Sequence, residues 1–187
     1  MSDDPYLYPG TNVLRNRLGI HDPVRLAVHE RALVTQRIRQ GLPTGDFDLP
    51  HLQAIHHHLF QDLYDWAGKI RTVEISKGKS LFQFQRYIQT GMADVHRRVL
   101  ESEYLRHLSP DAFAAKAGEI IGDVNYVHPF REGNGRAQLL YLKQLAERAG
   151  HRLDLTRLSP TTWLPASEAA HLGRYDAMAA AIRAALA

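Results

Sequence analysis

The sequence predicts an all-α, single-domain fold carrying one small β-hairpin, and three observations lead there. Apolar residues recur at helical spacing over most of the chain. Asp22-Pro23, Ser109-Pro110 and Gly150 stand where helices should start and stop. Only between about 69 and 84 does the apolar period shorten toward two, around the turn Ser76-Lys77-Gly78-Lys79-Ser80. At 187 residues one domain is expected, spanning residues 1–187 and long enough to bury a sizeable core.

Residues 5–21, with Pro9-Gly10-Thr11-Asn12, read as an irregular entry. A first helix follows Asp22-Pro23, with a stripe of Val24, Ala27, Val28, Leu33, Val34 and Ile38 reaching about Gln40 before Gly41 to Gly45 breaks it. A second spans about Leu49 to Trp66 and puts Leu52, Ile55, Leu59, Leu63 and Trp66 on one face. His56-His57-His58 lies inside it. Consecutive residues fan out around a helix, so these three cannot converge on one metal and are expected at the surface. Ile70, Thr72, Val73 and Ile75 form the first arm of the hairpin, and Leu81, Phe82 and Phe84 the second. Gly78 with Lys77 and Lys79 is placed to approach a phosphate or a partner's backbone; the bland alternative is a connector that merely covers core.

A third helix runs from about Arg86 to Leu105 through Ile88, Met92, Val95 and Val99. Ser109-Pro110 starts a fourth, striped with Phe113, Ala117, Ile120, Ile121, Val124 and Val127, which leads straight into His128. The fifth, from after the next loop to Gly150, holds Leu139, Leu140, Tyr141 and Leu142 in a row and should be buried nearly all round. A Pro-punctuated stretch, Ser159 to Pro165, precedes a last helix from about Ser167 to Leu186 with Met178 and Ile182 in the core.

Composition narrows the classes. Cysteine is absent, so disulfides and thiolate metal sites are excluded and a reducing cytoplasm is compatible. No apolar run has membrane-spanning length, and Met1-Ser2-Asp3-Asp4 is not a signal peptide. A net charge of +3 is too mild to argue for nucleic acid.

The chemistry concentrates in His128-Pro129-Phe130-Arg131-Glu132-Gly133-Asn134-Gly135-Arg136. Lying between two helical patterns, the run is a loop feeding a helix N-terminus, where unpaired N–H groups and the dipole attract an anion. The glycines let successive N–H groups turn inward, with no Cβ to keep a phosphate away. Arg136 adds a planar fork for phosphate oxygens, Glu132 a hard oxygen for Mg²⁺, and His128 a proton acceptor near neutral pH. Each residue alone has a structural reading; their spacing makes the set one for handling a nucleotide phosphate beside a nucleophile. No G-x-x-x-x-G-K-[S/T] run offers a competing phosphate loop.

The run resembles the Fic signature H-x-F-x-[D/E]-G-N-G-R at every specified position. Tyr64-Asp65-Trp66-Ala67-Gly68-Lys69-Ile70-Arg71-Thr72-Val73, followed by Ile75-Ser76-Lys77-Gly78, is similar to that family's approach to its target-docking flap. The opening Tyr6-Leu7-Tyr8-Pro9-Gly10-Thr11-Asn12 resembles the start of stand-alone Fic toxins and of the Fic portions of translocated bacterial effectors. The resemblance implies a Fic-type helical bundle with a hairpin flap over the active site, and transfer of AMP from ATP to a Ser, Thr or Tyr hydroxyl of another protein. It implies His128 as general base, Glu132 as ligand of Mg²⁺, Arg136 as stabiliser of the leaving pyrophosphate and Phe130 as anchor of the loop. Gly133, Asn134 and Gly135 would hold the α-phosphate, with Lys77 and Gly78 also facing the nucleotide. Ile70, Thr72, Val73 and Ile75 would dock the target by β-augmentation. Gly135 stands where the Doc branch of kinases carries Lys, which favours nucleotidyl transfer.

Leu139 departs from the pattern, since many active members carry there a second arginine that contacts the terminal phosphate. Two readings follow: a weakened, differently regulated or other-nucleotide enzyme, and an inactive Fic fold used for binding. The intact run favours the enzyme. The inhibitory motif [S/T]-x-x-x-E-[G/N] is absent from the chain, so any inhibition is expected from a small antitoxin partner with an inhibitory helix. The family's toxins imply a bacterial cytoplasmic setting or delivery into a host cell, and a type II topoisomerase subunit among possible targets.

Overall fold

Helix boundaries follow the caps. The computed structural model describes residues 4–78 and 80–187, and within them Asp22 caps α1 (Pro23–Arg39) by accepting from the Arg25 N–H. Asp48 does the same for α2 (Leu49–Phe60) through the His51 N–H, and Ser109 for α4 (Pro110–Val127) through the Ala112 N–H. Each of these helices has Pro in its first turn, where the missing N–H costs nothing. α3 (Ile88–Glu101) is flanked by single 3₁₀ turns at 85–87 and 103–105, so it is shorter at both ends than its stripe predicted. α5 (Asn134–Ala149) closes on Gly150 at φ 88°.

α4 is the axis of the bundle. It packs against α3, α5, α6 (Pro160–His171) and α7 (Asp176–Ala185), and its apolar stripe is buried. Gly118 makes the α7 contact close: a Cβ there would stand 3.0 Å from the Ala179 nitrogen. α2 lies against α1 and α5, which places the loop between α4 and α5 beside the middle of α2. Met178 and Ile182 are fully buried, as expected. Among the described residues no helix is long and apolar enough to cross a membrane.

Three expectations need correction. The second helix stops at Phe60 rather than Trp66, because the chain turns there and folds Trp66–Gly68 back onto α2. His56 takes part in that turn: its Nδ1 accepts from the Gly68 N–H at 2.9 Å, and it is completely buried instead of lying at the surface. The last helix is two, α6 and α7, separated by a turn with Gly173 at φ 74°. α6 begins at Pro160 and runs through Pro165, so the proline-punctuated stretch is helical.

The β signal is smaller than expected. β1 (Ser76–Lys77) pairs antiparallel with β2 (Ser80–Leu81), in the register Ser76 with Leu81 and Lys77 with Ser80. Ile70, Thr72, Val73 and Ile75 lie outside the two strands. Backbone groups nearby are engaged elsewhere: the Arg71 N–H donates to the Pro129 carbonyl, and the Thr72 N–H to the Tyr6 hydroxyl at 3.1 Å. Lys79 and the Lys77 side chain, expected beside a phosphate or a partner's backbone, lie outside the described residues.

Candidate active site

α4 ends by presenting its histidine. His128 is the C-cap residue in the left-handed region, φ 47° and ψ 63°, a conformation that turns the chain sharply out of the helix. Its Nδ1 lies 3.0 Å from the Asn125 carbonyl, which can only accept, so Nδ1 carries the proton. In the neutral ring that leaves Nε2 as the basic nitrogen. The ring stacks on Phe82 with centroids 3.7 Å apart and planes 18° from parallel.

The loop that follows is tied from inside. Phe130 is fully buried and stacks on His56 at 3.9 Å, which fits its expected role as anchor. The Asn134 amide grips Phe130 on both sides, its Oδ1 accepting from the Phe130 N–H at 2.9 Å and its Nδ2 donating to the Phe130 carbonyl at 2.7 Å. The Asn134 side chain is therefore committed to the loop, and what it offers an anion is its backbone N–H. His56 donates through Nε2 to the Glu132 carbonyl at 2.9 Å, and burial pushes its pKa down to about 4. Glycine is required at 133 twice over. Its φ is 81°, and a Cβ would stand 2.5 Å from the Phe60 ring. At Gly135 a Cβ would meet nothing within 4 Å, because that face opens on a cavity.

The cavity has a volume of about 880 Å³, ample for a nucleotide. His128, Glu132, Asn134 and Gly135 line one wall, Ser76, Gly78 and Phe82 another, and Trp163, Ser167 and His171 of α6 a third. The first-turn N–H groups of α5 have no carbonyl within the helix and sit at this wall. The structure thus brings together His128, Glu132, Gly135 and Gly78. Ile75 also reaches the cavity, while Ile70, Thr72 and Val73 are not among its lining residues.

Arg136 stands at the edge of this arrangement. Its Nη1 donates to Glu30 of α1 at 2.6 Å, its Nη2 lies 3.9 Å from Glu132, and its guanidinium covers the Phe60 ring at 4.6 Å. Tyr64 donates its hydroxyl to the other oxygen of Glu30, and burial raises the Tyr64 pKa well above the usual range. Leu139, one turn on, is half-buried against the core and does not line the cavity. Among the described residues no group of three or more His, Cys, Asp or Glu is gathered to hold a metal. Glu132, with its side chain half-exposed, suits only an ion that takes its remaining ligands from phosphate and water, as Mg²⁺ does.

Sequence reasoning missed Glu30, Tyr64, His56, Arg71 and the whole α6 wall. The helical stripe of α1 marks Glu30 as polar and no more, and the first half of α6 falls in the proline-punctuated stretch Ser159 to Pro165, ahead of the helix expected from about Ser167.

A helical bundle that sets a histidine, a carboxylate and a glycine-rich helix N-terminus around one cavity defines a protein built to handle phosphate esters. The chain belongs to the Fic/DOC family, whose pattern it matches over residues 46–146. It is 40% identical to the probable protein adenylyltransferase y4lH of Sinorhizobium fredii, over 97% of this chain and 95% of that protein. It is 39% identical to the probable protein adenylyltransferase Fic of Salmonella typhimurium, over 98% and 92%. Among solved structures, BepC, a VirB-translocated effector of Bartonella tribocorum with bound AMPPNP, superposes with a TM-score of 0.90 at 27% identity, covering 98% of this chain and 97% of that one.

Proposed function

We propose that this protein is an adenylyltransferase that moves AMP from ATP to a Ser, Thr or Tyr hydroxyl of a target protein. The observation that carries this reading is the shared cavity wall of His128, Glu132 and the α5 N-terminus, since transfer at phosphorus needs alignment and charge neutralisation more than covalent chemistry. The AMPPNP in BepC and the names of the bacterial relatives support it.

In this reading the target hydroxyl gives its proton to Nε2 of His128 as its oxygen attacks the α-phosphorus. The bond from that phosphorus to the bridging oxygen breaks, and pyrophosphate leaves toward Arg136. The N–H groups of Asn134 and Gly135 receive the α-phosphate, joined by that of Gly133 once it leaves the Glu132 carboxylate, to which it donates at 2.9 Å, and Gly78 and Lys77 close over the nucleotide. Glu132 holds Mg²⁺, which supplies neutralisation of phosphate charge when bound. The segment carrying Ile70, Thr72, Val73 and Ile75 leads into β1 and works as the flap, with an extended target segment pairing along it where backbone groups are not already engaged by Pro129 and Tyr6. The setting we favour is the toxin half of a bacterial toxin–antitoxin module acting in a cytoplasm on a partner such as a type II topoisomerase subunit, under an antitoxin helix.

Leu139 favours a second reading, a Fic fold that has lost ATP chemistry and serves as a binding module. Intact-mass measurement separates the two. Natural protein, Leu139→Arg and His128→Ala are each mixed with Mg-ATP and candidate targets, autolabelling included. An AMP adduct from the natural protein supports the enzyme; an adduct only from Leu139→Arg supports the binding module.

A further inference from the structure

Arg71 is 1% exposed and lies outside the cavity, yet it is hydrogen-bonded to the carbonyls of three successive residues of the His128 turn. Its Nε donates to the His128 carbonyl at 2.9 Å and its Nη2 to the Val127 carbonyl at 3.4 Å. Its own N–H donates to the Pro129 carbonyl at 2.9 Å. The rest of the guanidinium holds the segment around the hairpin. Nη1 donates to the Val73 carbonyl at 2.8 Å and to Glu74 at 3.2 Å, and Nη2 donates to the Gln83 carbonyl. Glu74 in turn accepts from the Gln85 N–H at 3.0 Å.

The last carbonyls of a helix have no partner inside it. In α4 the partners come chiefly from two sources, with the Gln138 amide of α5 adding a second donor to Val124 at 3.4 Å. Val124 accepts from the His128 N–H, and Asn125 lies against the His128 ring; Tyr126 accepts from the Gln83 N–H, and Val127 from Arg71. The histidine and the segment 71–83 therefore share the end of one helix, and a cation at that end also suits its dipole. Phe82, from the same segment, supplies the face on which the His128 ring rests. A left-handed backbone at a residue other than glycine is strained and persists only where its surroundings fix it.

We propose that Arg71 is the positioning residue of the active site, fastening the left-handed turn of His128 to the hairpin segment so that both move as one body. Where the hairpin is displaced, the base is displaced with it. Resting on the adenylyltransferase reading, this makes target docking at the hairpin and alignment of His128 a single event: a hairpin seated on its target is also a base held in register.

The test uses the full chain and its Arg71→Lys variant, which keeps a cation but not the fork that reaches five acceptors. Folded fraction comes from thermal unfolding, AMPPNP affinity from calorimetry, transfer from kcat and KM, and the ring state from NMR of the His128 imidazole nitrogens. A displacement of the base by about 1 Å predicts a kcat per folded molecule lower by ~10²-fold. AMPPNP affinity should stay near the natural value, and the signature of an Nδ1 proton bonded to the Asn125 carbonyl should be lost. Unchanged ring signals with natural kcat per folded molecule would overturn the proposal, whatever the loss of stability. If Arg71→Lys does not fold, Glu74→Ala, which removes the half-exposed carboxylate on Nη1, must show a smaller shift of the same ring signals; unmoved signals there overturn it equally. Were the natural protein inactive on every target, the enzymatic reading would fail while the ring signals still decided the role of Arg71.

Discussion

Two glycines on either side of Asn134 do different work, and this separates folding from function at the finest scale. Gly133 is fixed by its φ of 81° and by the Phe60 ring 2.5 Å from where a Cβ would be. Gly133→Ala should lower unfolding free energy by roughly 1–3 kcal/mol, seen as a shifted denaturant midpoint. Gly135→Ala should unfold as the natural protein does but bind AMPPNP more weakly, because a Cβ there meets no protein atom within 4 Å and is added to the cavity wall. Equal effects of the two on stability would contradict this division. Glu30 is the other residue to probe. Glu30→Ala leaves the buried Tyr64 hydroxyl without its acceptor and Arg136 without its nearest anchor, for a cost of about 1–3 kcal/mol in the same unfolding measurement.

At the scale of elements, the α2–loop junction should be acid-sensitive. His56 bonds as a neutral ring between Gly68 and Glu132, with its pKa at about 4 against an ordinary 6.5. Between those values the unfolded chain binds the extra proton, so stability is fully present above pH 6.5 and is lost as the pH falls toward 4. The loss is on the order of 3 kcal/mol at most. Unfolding curves at stepped pH should show it in the natural protein and not in His56→Gln. The same residue shows why sequence reading failed there: a histidine triplet on a helix looks like a solvated face, and only the turn at Gln61 brings Gly68 back to bury its first member.

Where local chemistry decides structure, the chain could be read directly. Asp22, Ser109 and Gly150 end helices by hydrogen bonds and backbone freedom that act within a few residues, and the stripe of α4 aims at its own core. Features set by distant contacts could not be read. The β-branched residues from Ile70 to Ile75 carry a strand signal, but the Arg71 N–H goes to Pro129 and the Thr72 N–H to Tyr6, so the sheet starts only at Ser76. α6 hid behind Pro160, which is harmless in a first turn, and Pro165, which stands inside the helix and removes one of its hydrogen-bond donors. In the site, the loop residues were legible because one helix terminus needs them together, whereas Glu30, Tyr64 and Arg71 lie far away in sequence and join it through the fold.

For the whole molecule, α4 is the mount that carries His128 to the cavity, the α5 N-terminus faces the same cavity, and α6 forms a further wall. Leu139 tests how much of the family's phosphate grip such a mount needs. Leu139→Arg should cost little stability, since its side chain is only partly buried, and should tighten ATP binding by about 1.5–3 kcal/mol in calorimetry.

The most direct test is intact-mass detection of nucleotide transfer by the natural protein and by His128→Ala, with Mg-ATP, a candidate target and AMPPNP binding measured alongside. The account predicts an AMP adduct from the natural protein, none from His128→Ala, and unimpaired AMPPNP binding by both. An adduct of equal yield from His128→Ala would contradict the role of His128 as base and, with it, the mechanism proposed here.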